Sequence, residues 1–189
     1  KTTEGNEIKG VVRDLKSDQE GNIWMAVQDQ GIFCYNQGEL KEYALKDVHV
    51  REILFDKENN IWVATYGYGL LKIDPESHKT TRYLLEKTKI NSPENNINSI
   101  LLHHSKYILV GTEKKGLQKF DIEKELFIPC LEVGDDGKEL FVRCIMKSDN
   151  NELWVGTETG LYIIDLLTER HQNLKHSYND PYSLSDNAI

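Results

Sequence analysis

Apolar residues along this chain come in short β-branched and aromatic bursts, separated by tight polar turns. Residues 50–84 show the pattern once through. Val50, Ile53, Leu54 and Phe55 mark a first strand. Asp56-Lys57-Glu58-Asn59-Asn60 is a polar turn, and Ile61-Trp62-Val63-Ala64-Thr65 is a second strand. Such a run favours a pleated, half-buried surface. Tyr66-Gly67-Tyr68 turns the chain, Gly69 to Asp74 forms a third strand, and Pro75 to His78 turns it again. Lys79 to Leu84 is a polar fourth strand suited to an outer edge, where charge discourages stray pairing. No segment carries a competing helical period.

The same sentence recurs. Gly21-Asn22-Ile23-Trp24-Met25-Ala26-Val27, Asn59 to Thr65, Lys106 to Thr112 and Asn151 to Thr157 align. Each is followed by a Gly-Ile or Gly-Leu step and an apolar pair closing on Asn36, Asp74, Asp121 or Asp165. The Trp position falls at residues 24, 62, 109 and 154, so the spacings are 38, 47 and 45 residues. A period of about 40–45 residues built from four strands predicts propeller blades. The expected architecture is all-β: a β-propeller fragment of about four four-stranded antiparallel blades. The blades are expected at 11–46, 48–85, 96–132 and 141–175, within one repeat region spanning 1–189. Residues 176–189 would be a linker and the start of a further blade.

Within this frame Trp24, Trp62 and Trp154 are expected to pack between blades, and Leu109 to leave a smaller contact in the third copy. Ala26, Ala64, Gly111 and Gly156 should let the neighbouring sheet approach. Three arginines share one position at the start of the first strand: Arg13, Arg51 and Arg143, with Asn98 in the third copy. If the first strand is innermost, these side chains recur around the entrance of a central channel. Guanidinium suits planar recognition of carboxylate or sulfate. The other possibility is that each Arg pairs with an acid of the neighbouring blade. Close by, the second turns carry Gln28-Asp29-Gln30, Tyr66-Gly67-Tyr68, Glu113-Lys114-Lys115 and Glu158-Thr159. Tyr66 and Tyr68 are placed either to stack on a sugar ring or to pack the rim.

The pattern Asp-x-x-Gly/Asn-Asn-Ile-Trp-x-Ala/Gly-Thr followed by Gly-Leu-x-x-Asp resembles the two-component regulator propeller repeat. Asp18 to Asn36, Asp56 to Asp74 and Ser148 to Asp165 carry it best, while His103 to Asp121 lacks the Trp. The stretch Asn179-Asp180-Pro181-Tyr182-Ser183-Leu184-Ser185-Asp186-Asn187 looks like that family's linker into a next blade, and Ile90 to Ile97 is a weaker cousin. The resemblance implies a periplasmic sensor region of a histidine kinase anchored in the inner membrane. It also implies detection of a glycan and control of gene expression by phosphorelay. No closing Trp-Asp pair of the WD40 kind is present. The Asp18 turn also places its acid one residue too early for a sialidase-type Asp box.

The 189 residues carry 23 basic and 31 acidic side chains, a net charge of −8, which argues against a nucleic-acid surface. No initiator Met, export signal or membrane-length apolar run occurs, so the chain reads as part of a longer protein whose other parts would supply the membrane anchor. A fragment of this kind should self-associate through exposed blade faces. Cys34, Cys130 and Cys144 have no metal or CxxC spacing, and Cys34 and Cys144 are expected as buried free thiols. His103 and His104 are adjacent, and strand alternation should point them apart. No acid pair, nucleophile elbow, phosphate loop or kinase motif stands out. The segment is therefore expected to be non-catalytic, without metal or cofactor. Its candidate ligand residues are Arg13, Arg51, Arg143, Tyr66 and Tyr68, and its candidate partner is an oligosaccharide or acidic glycan. The competing class is a non-catalytic protein–protein interaction or assembly propeller.

Overall fold

The computed structural model describes residues 8–87 and 89–189. Among the described residues it is all-β, with sixteen strands in four four-stranded antiparallel sheets, each sheet running in simple chain order. Blade 1 holds β1 (Val12–Ser17), β2 (Ile23–Val27), β3 (Gly31–Asn36) and β4 (Glu39–Ala44). Blade 2 holds β5 (Val50–Phe55), β6 (Ile61–Thr65), β7 (Leu70–Ile73) and β8 (Thr80–Tyr83). Blade 3 holds β9 (Ile97–His103), β10 (Tyr107–Thr112), β11 (Leu117–Asp121) and β12 (Leu126–Leu131). Blade 4 holds β13 (Val142–Lys147), β14 (Glu152–Thr157), β15 (Gly160–Asp165) and β16 (His171–Leu174). Two compact units result, the first ending at Ile97 and the second beginning at Asn98.

The recurring residues form a hydrogen-bonded frame. Asp56 Oδ1 accepts the backbone N–H groups of Glu58 and Asn60, and Oδ2 accepts Asn60 Nδ2 and the Trp62 indole N–H at 2.8 Å. Asp18 does the same for Glu20, Asn22 and Trp24. Gly21, Asn59 and Asn151 share one turn position with φ of 84°, 60° and 58°, a conformation that Gly and Asn tolerate. The hydroxyls of Thr65, Thr112 and Thr157 donate to the carbonyls of Gly69, Gly116 and Gly160, closing the second turn. Asp74, Asp121 and Asp165 accept two backbone N–H groups each in the third turn.

Adjacent blades meet through apolar faces. In unit 1, Trp24, Ala26 and Ile32 of blade 1 pack on Val50, Ile53, Ile61 and Ile73 of blade 2. In unit 2, Leu109 and Leu117 of blade 3 meet Val142, Leu153, Val155 and Tyr162 of blade 4. A Cβ at Gly111 would run into Val142, so the small residue there sets how close the two sheets come. One polar bond repeats beside each apolar face. Asp14 Oδ2 accepts the N–H of Ile53, and Ser99 Oγ accepts that of Ile145, at equivalent positions of successive first strands.

Two expectations fail. Trp154 is half-buried, because it lies on the side of blade 4 facing away from blade 3, with Glu152 as its indole partner at 3.1 Å. The cysteines are free, but Cys34 is half-buried and Cys130 and Cys144 are exposed. Strand membership did not bury them, since one face of a sheet can remain open.

The third copy replaces the carboxylate–indole pair of Asp18 and Trp24 with His103 and Leu109. Burial, helped by neighbouring His104, Lys147 and Lys119, lowers the His103 pKa from 6.5 to about 4. Between those values the unfolded chain binds a proton that the folded chain does not, so stability is lost as pH falls through that window. Denaturant midpoints should therefore decline from about pH 6.5 towards pH 4. His103→Asn should flatten that part of the profile; an unchanged slope would contradict the assignment.

Candidate functional site

All three arginines occupy the same irregularity. Val12 faces Val27 and Asp14 faces Ala26, so Arg13 is the extra residue of a β-bulge. The register skips Arg51 between Val50 and Glu52, and Arg143 between Val142 and Cys144, in the same way. A bulge re-aims the side chain it carries. Here it turns each guanidinium towards the first residue of its own blade's second turn. Arg13 donates to Gln28 Oε1, with Nε at 2.9 Å. Arg143 Nη2 donates to Glu158 Oε1 at 3.1 Å, and both are half-exposed. The Arg51 guanidinium lies 5.7 Å from the Tyr66 ring centre, a cation–π distance. Asn98 instead donates to the Val142 carbonyl at 2.9 Å.

Unit 1 joins two of these positions into one polar chain. Gln28, held by Arg13, donates to Asp29 Oδ2 at 3.1 Å. Asp29 Oδ1 stands 3.4 Å from His49 Nδ1 in blade 2. The His49 ring lies 5.2 Å from Tyr66, which also faces Arg51. Burial lowers the His49 pKa, Asp29 works against that, and Arg51 and Arg13 add to the lowering. The imidazole is therefore held towards its neutral form between two permanent cations. First strands β1 and β5 lie side by side here, so both guanidiniums open at the same end of the unit.

Tyr66 and Tyr68 do not form one platform. Tyr66 is 41% exposed beside His49 and Arg51, whereas Tyr68 is half-buried under Arg82 of the outer strand β8, 5.1 Å away. Arg143 belongs to the second unit with Glu158. None of the pairings above joins an arginine to an acid of a neighbouring blade.

His49, Gln28, Asp29 and Glu158 were not singled out as site residues from sequence. A signal was available: each bulge residue and its turn partner are 15 positions apart, as in Arg13 with Gln28 and Arg143 with Glu158. His103 and His104 also differ from expectation. His104 has φ 51°, outside the extended range, so the strand alternation ends and the rings meet edge-on at 4.0 Å. Among the described residues no group of three or more His, Cys, Asp or Glu is arranged to hold a metal ion. No helix among them is long and apolar enough to cross a membrane.

The family model described as two component regulator propeller matches residues 44–67, which run from the end of blade 1 to the Tyr66 turn. Over those residues the sequence is similar to the two component regulator propeller repeat. Among solved structures, its fold is similar to the extracellular domain of BT4673 from B. thetaiotaomicron, described as a one component system. That match has a TM-score of 0.78 at 22% identity, covering 98% of this chain and 25% of that one. It is also similar to the extracellular domain of BT3049 from the same organism, described as a hybrid two component system, with TM-score 0.73 at 18% identity. Coverage there is 94% of this chain and 23% of that one. Virginiamycin B lyase from Staphylococcus aureus matches with TM-score 0.71 at 15% identity, over 92% of this chain and 58% of that one. At these identities the likeness is one of fold. The chain spans about a quarter of the length of the first two structures. No curated protein matches the sequence.

Proposed function

We propose that this chain is a ligand-sensing propeller segment of a two-component regulatory system. In this reading it lies in the periplasm, as part of a protein anchored in the inner membrane. It binds an acidic or sulfated glycan at the bulge arginines and relays that event across the membrane without catalysis of its own. The observation that carries this is the repeated bulge, which presents Arg13, Arg51 and Arg143 at equivalent strand ends. Only Arg143 has a carboxylate as its turn partner; Arg13 has the neutral Gln28 and Arg51 faces Tyr66. Cationic side chains recurring at equivalent strand ends favour an anionic ligand. The matched repeat and the fold shared with extracellular domains of regulatory systems support the sensor role.

A panel of sulfated and uronic-acid oligosaccharides, set against neutral ones of equal length, tests this on the complete exported region. Acidic members should bind and neutral ones should not. Equal binding of both would remove the arginines from the site. Absence of glycan binding, together with a specific protein partner, would favour the assembly class instead.

Self-association is part of the same proposal. On blade 2, Ile53, Ile61 and Ile73 are covered by blade 1. Their counterparts on blade 1, on the face away from blade 2, are Leu15, Ile23 and Tyr35, exposed to 59%, 38% and 44%. A contiguous apolar face of this kind marks a contact surface. Light scattering should show the 189-residue chain as an oligomer that Leu15→Glu disperses. A monomer at every concentration would contradict this.

A further inference from the structure

In blade 2 the paired acid and indole come with a cation of their own. Lys72 stands directly across from Trp62 in the strand register, and its ammonium lies 5.5 Å from the Trp62 ring centre, with Asp56 on the indole N–H. Blade 1 repeats the acid and the indole but not the cation. Cys34 takes the place across from Trp24. Among the described residues no lysine or arginine forms an ion pair with Asp18 or Glu20, and none lies over the ring of Trp24, Tyr43 or Phe55.

These groups border a cavity of about 230 Å³ between blades 1 and 2. About 150 Å³ suffices for a guest the size of benzene. Trp24, Tyr43, Phe55, Ile61 and Pro75 form the apolar lining. Tyr43 meets Trp24 edge-on at 4.6 Å and lies 5.1 Å from the His78 ring. Trp24 and Ile61 are buried, but Tyr43, Phe55 and Pro75 are half-buried and His78 is exposed, so part of the lining stays open to solvent. The lining carboxylates are Asp18 and Glu20, and no lysine or arginine stands beside them; the other polar groups are His78 and the amides of Gln19, Asn22 and Asn59. Burial raises the Tyr43 pKa, and Cys34 and Asp74 add to it, as expected where further negative charge is unwelcome.

The bonds at Asp18 decide which kind of cation fits. A carboxylate offers about four acceptor sites. Those of Asp18 are taken by the N–H groups of Glu20 and Asn22, by Asn22 Nδ2 and by the Trp24 indole. Burial opposes its ionisation, but these bonds outweigh that, so the charge remains while the acceptors are spent. A primary ammonium is strongly hydrated and needs new acceptors when it leaves water. A quaternary ammonium donates no hydrogen bond and is held by charge and aromatic surface alone. We propose that this cavity binds a quaternary ammonium group. The methyl groups lie among Trp24, Tyr43 and Phe55, and Asp18 and Glu20 supply the opposite charge. The site lies at the far end of β1 from Arg13 and does not depend on the role given to the arginines.

The probe is choline. It is set against neohexanol, which has the same shape without the charge, and ethanolamine, which carries the charge on a primary ammonium. The readout is the three indole N–H resonances of the isotope-labelled chain, with that of Trp24 assigned by Trp24→Phe. Choline should shift the Trp24 resonance saturably and leave those of Trp62 and Trp154 in place. Neohexanol and ethanolamine should each need about tenfold more, within the range of a desolvated cation–π contact. Tyr43→Leu, which keeps an apolar wall without the ring, should weaken choline by about tenfold. Glu20→Gln changes an exposed side chain, leaves the core untouched and should weaken choline by about threefold. Cys34→Lys, which supplies the cation that blade 2 has, should abolish the choline shift. Unmoved Trp62 and Trp154 resonances show that this variant folds. A Trp24 resonance indifferent to choline, equal shifts at all three indoles, neohexanol or ethanolamine acting as strongly as choline, or choline binding undiminished in Cys34→Lys would overturn the proposal.

Discussion

Replacing Trp62 with alanine should destabilise the chain by about 3–5 kcal/mol, the range for removing a fully buried large aromatic. Trp62 is 1% exposed, stacks on Tyr83 at 5.8 Å and lies under the Lys72 ammonium at 5.5 Å. Its indole N–H is bound to a buried carboxylate, so truncation both opens a cavity and removes one of the hydrogen bonds that Asp56 accepts. Trp154→Ala should cost clearly less, because that side chain is half-buried. Equilibrium denaturation of the two variants decides this. Equal midpoint shifts would mean that burial is not what distinguishes the copies.

The second large effect is expected at Asp56 itself. Asp56→Ala should cost about 3 kcal/mol, since it leaves a buried indole N–H, an amide and two backbone N–H groups without their acceptor. Asp18 holds the same four partners in a more open turn. Burial tends to raise its pKa, but the bonds from Trp24, Asn22 and Glu20 outweigh that, and the net shift is downward. Its contribution is therefore present above the ordinary carboxylate pKa and lost as pH falls through the lowered value. Asp18→Ala should destabilise less than Asp56→Ala. A double-mutant cycle of Asp56→Ala with Trp62→Ala should show strong coupling, because one bond is shared. Additive losses would mean that the indole bond contributes little.

Much of the fold is legible in the sequence because one phrase is written four times. Repetition supplies what a single burst of apolar residues cannot: a period, and hence a blade. The closing Asp74, Asp121 and Asp165 and the Thr65, Thr112 and Thr157 phrase were visible as recurrences. Their function as turn acceptors and donors needed coordinates. The bulge was not legible, because it is a two-against-one count between paired strands, and a single strand does not show it. The arginines could be aligned from sequence, but their aim could not. Asp18 and Asp56 were matched only as motif letters, although the third copy loses acid and Trp together as His103 and Leu109. Cys34 and Cys144 misled because strand membership does not say which face is covered.

The bulge arginines as a ligand site are tested most directly by measuring affinity and stability on the same two variants, Arg51→Ala and Arg143→Ala, in the complete exported region. With an acidic oligosaccharide as probe, each should lose about 1.5–3 kcal/mol of binding, the scale of a hydrogen bond to a charged group. Folding should be little changed, since the Arg143–Glu158 pair is half-exposed and such pairs contribute about 0–1 kcal/mol. Unchanged affinity accompanied by a lowered denaturant midpoint would contradict the account and make these arginines structural.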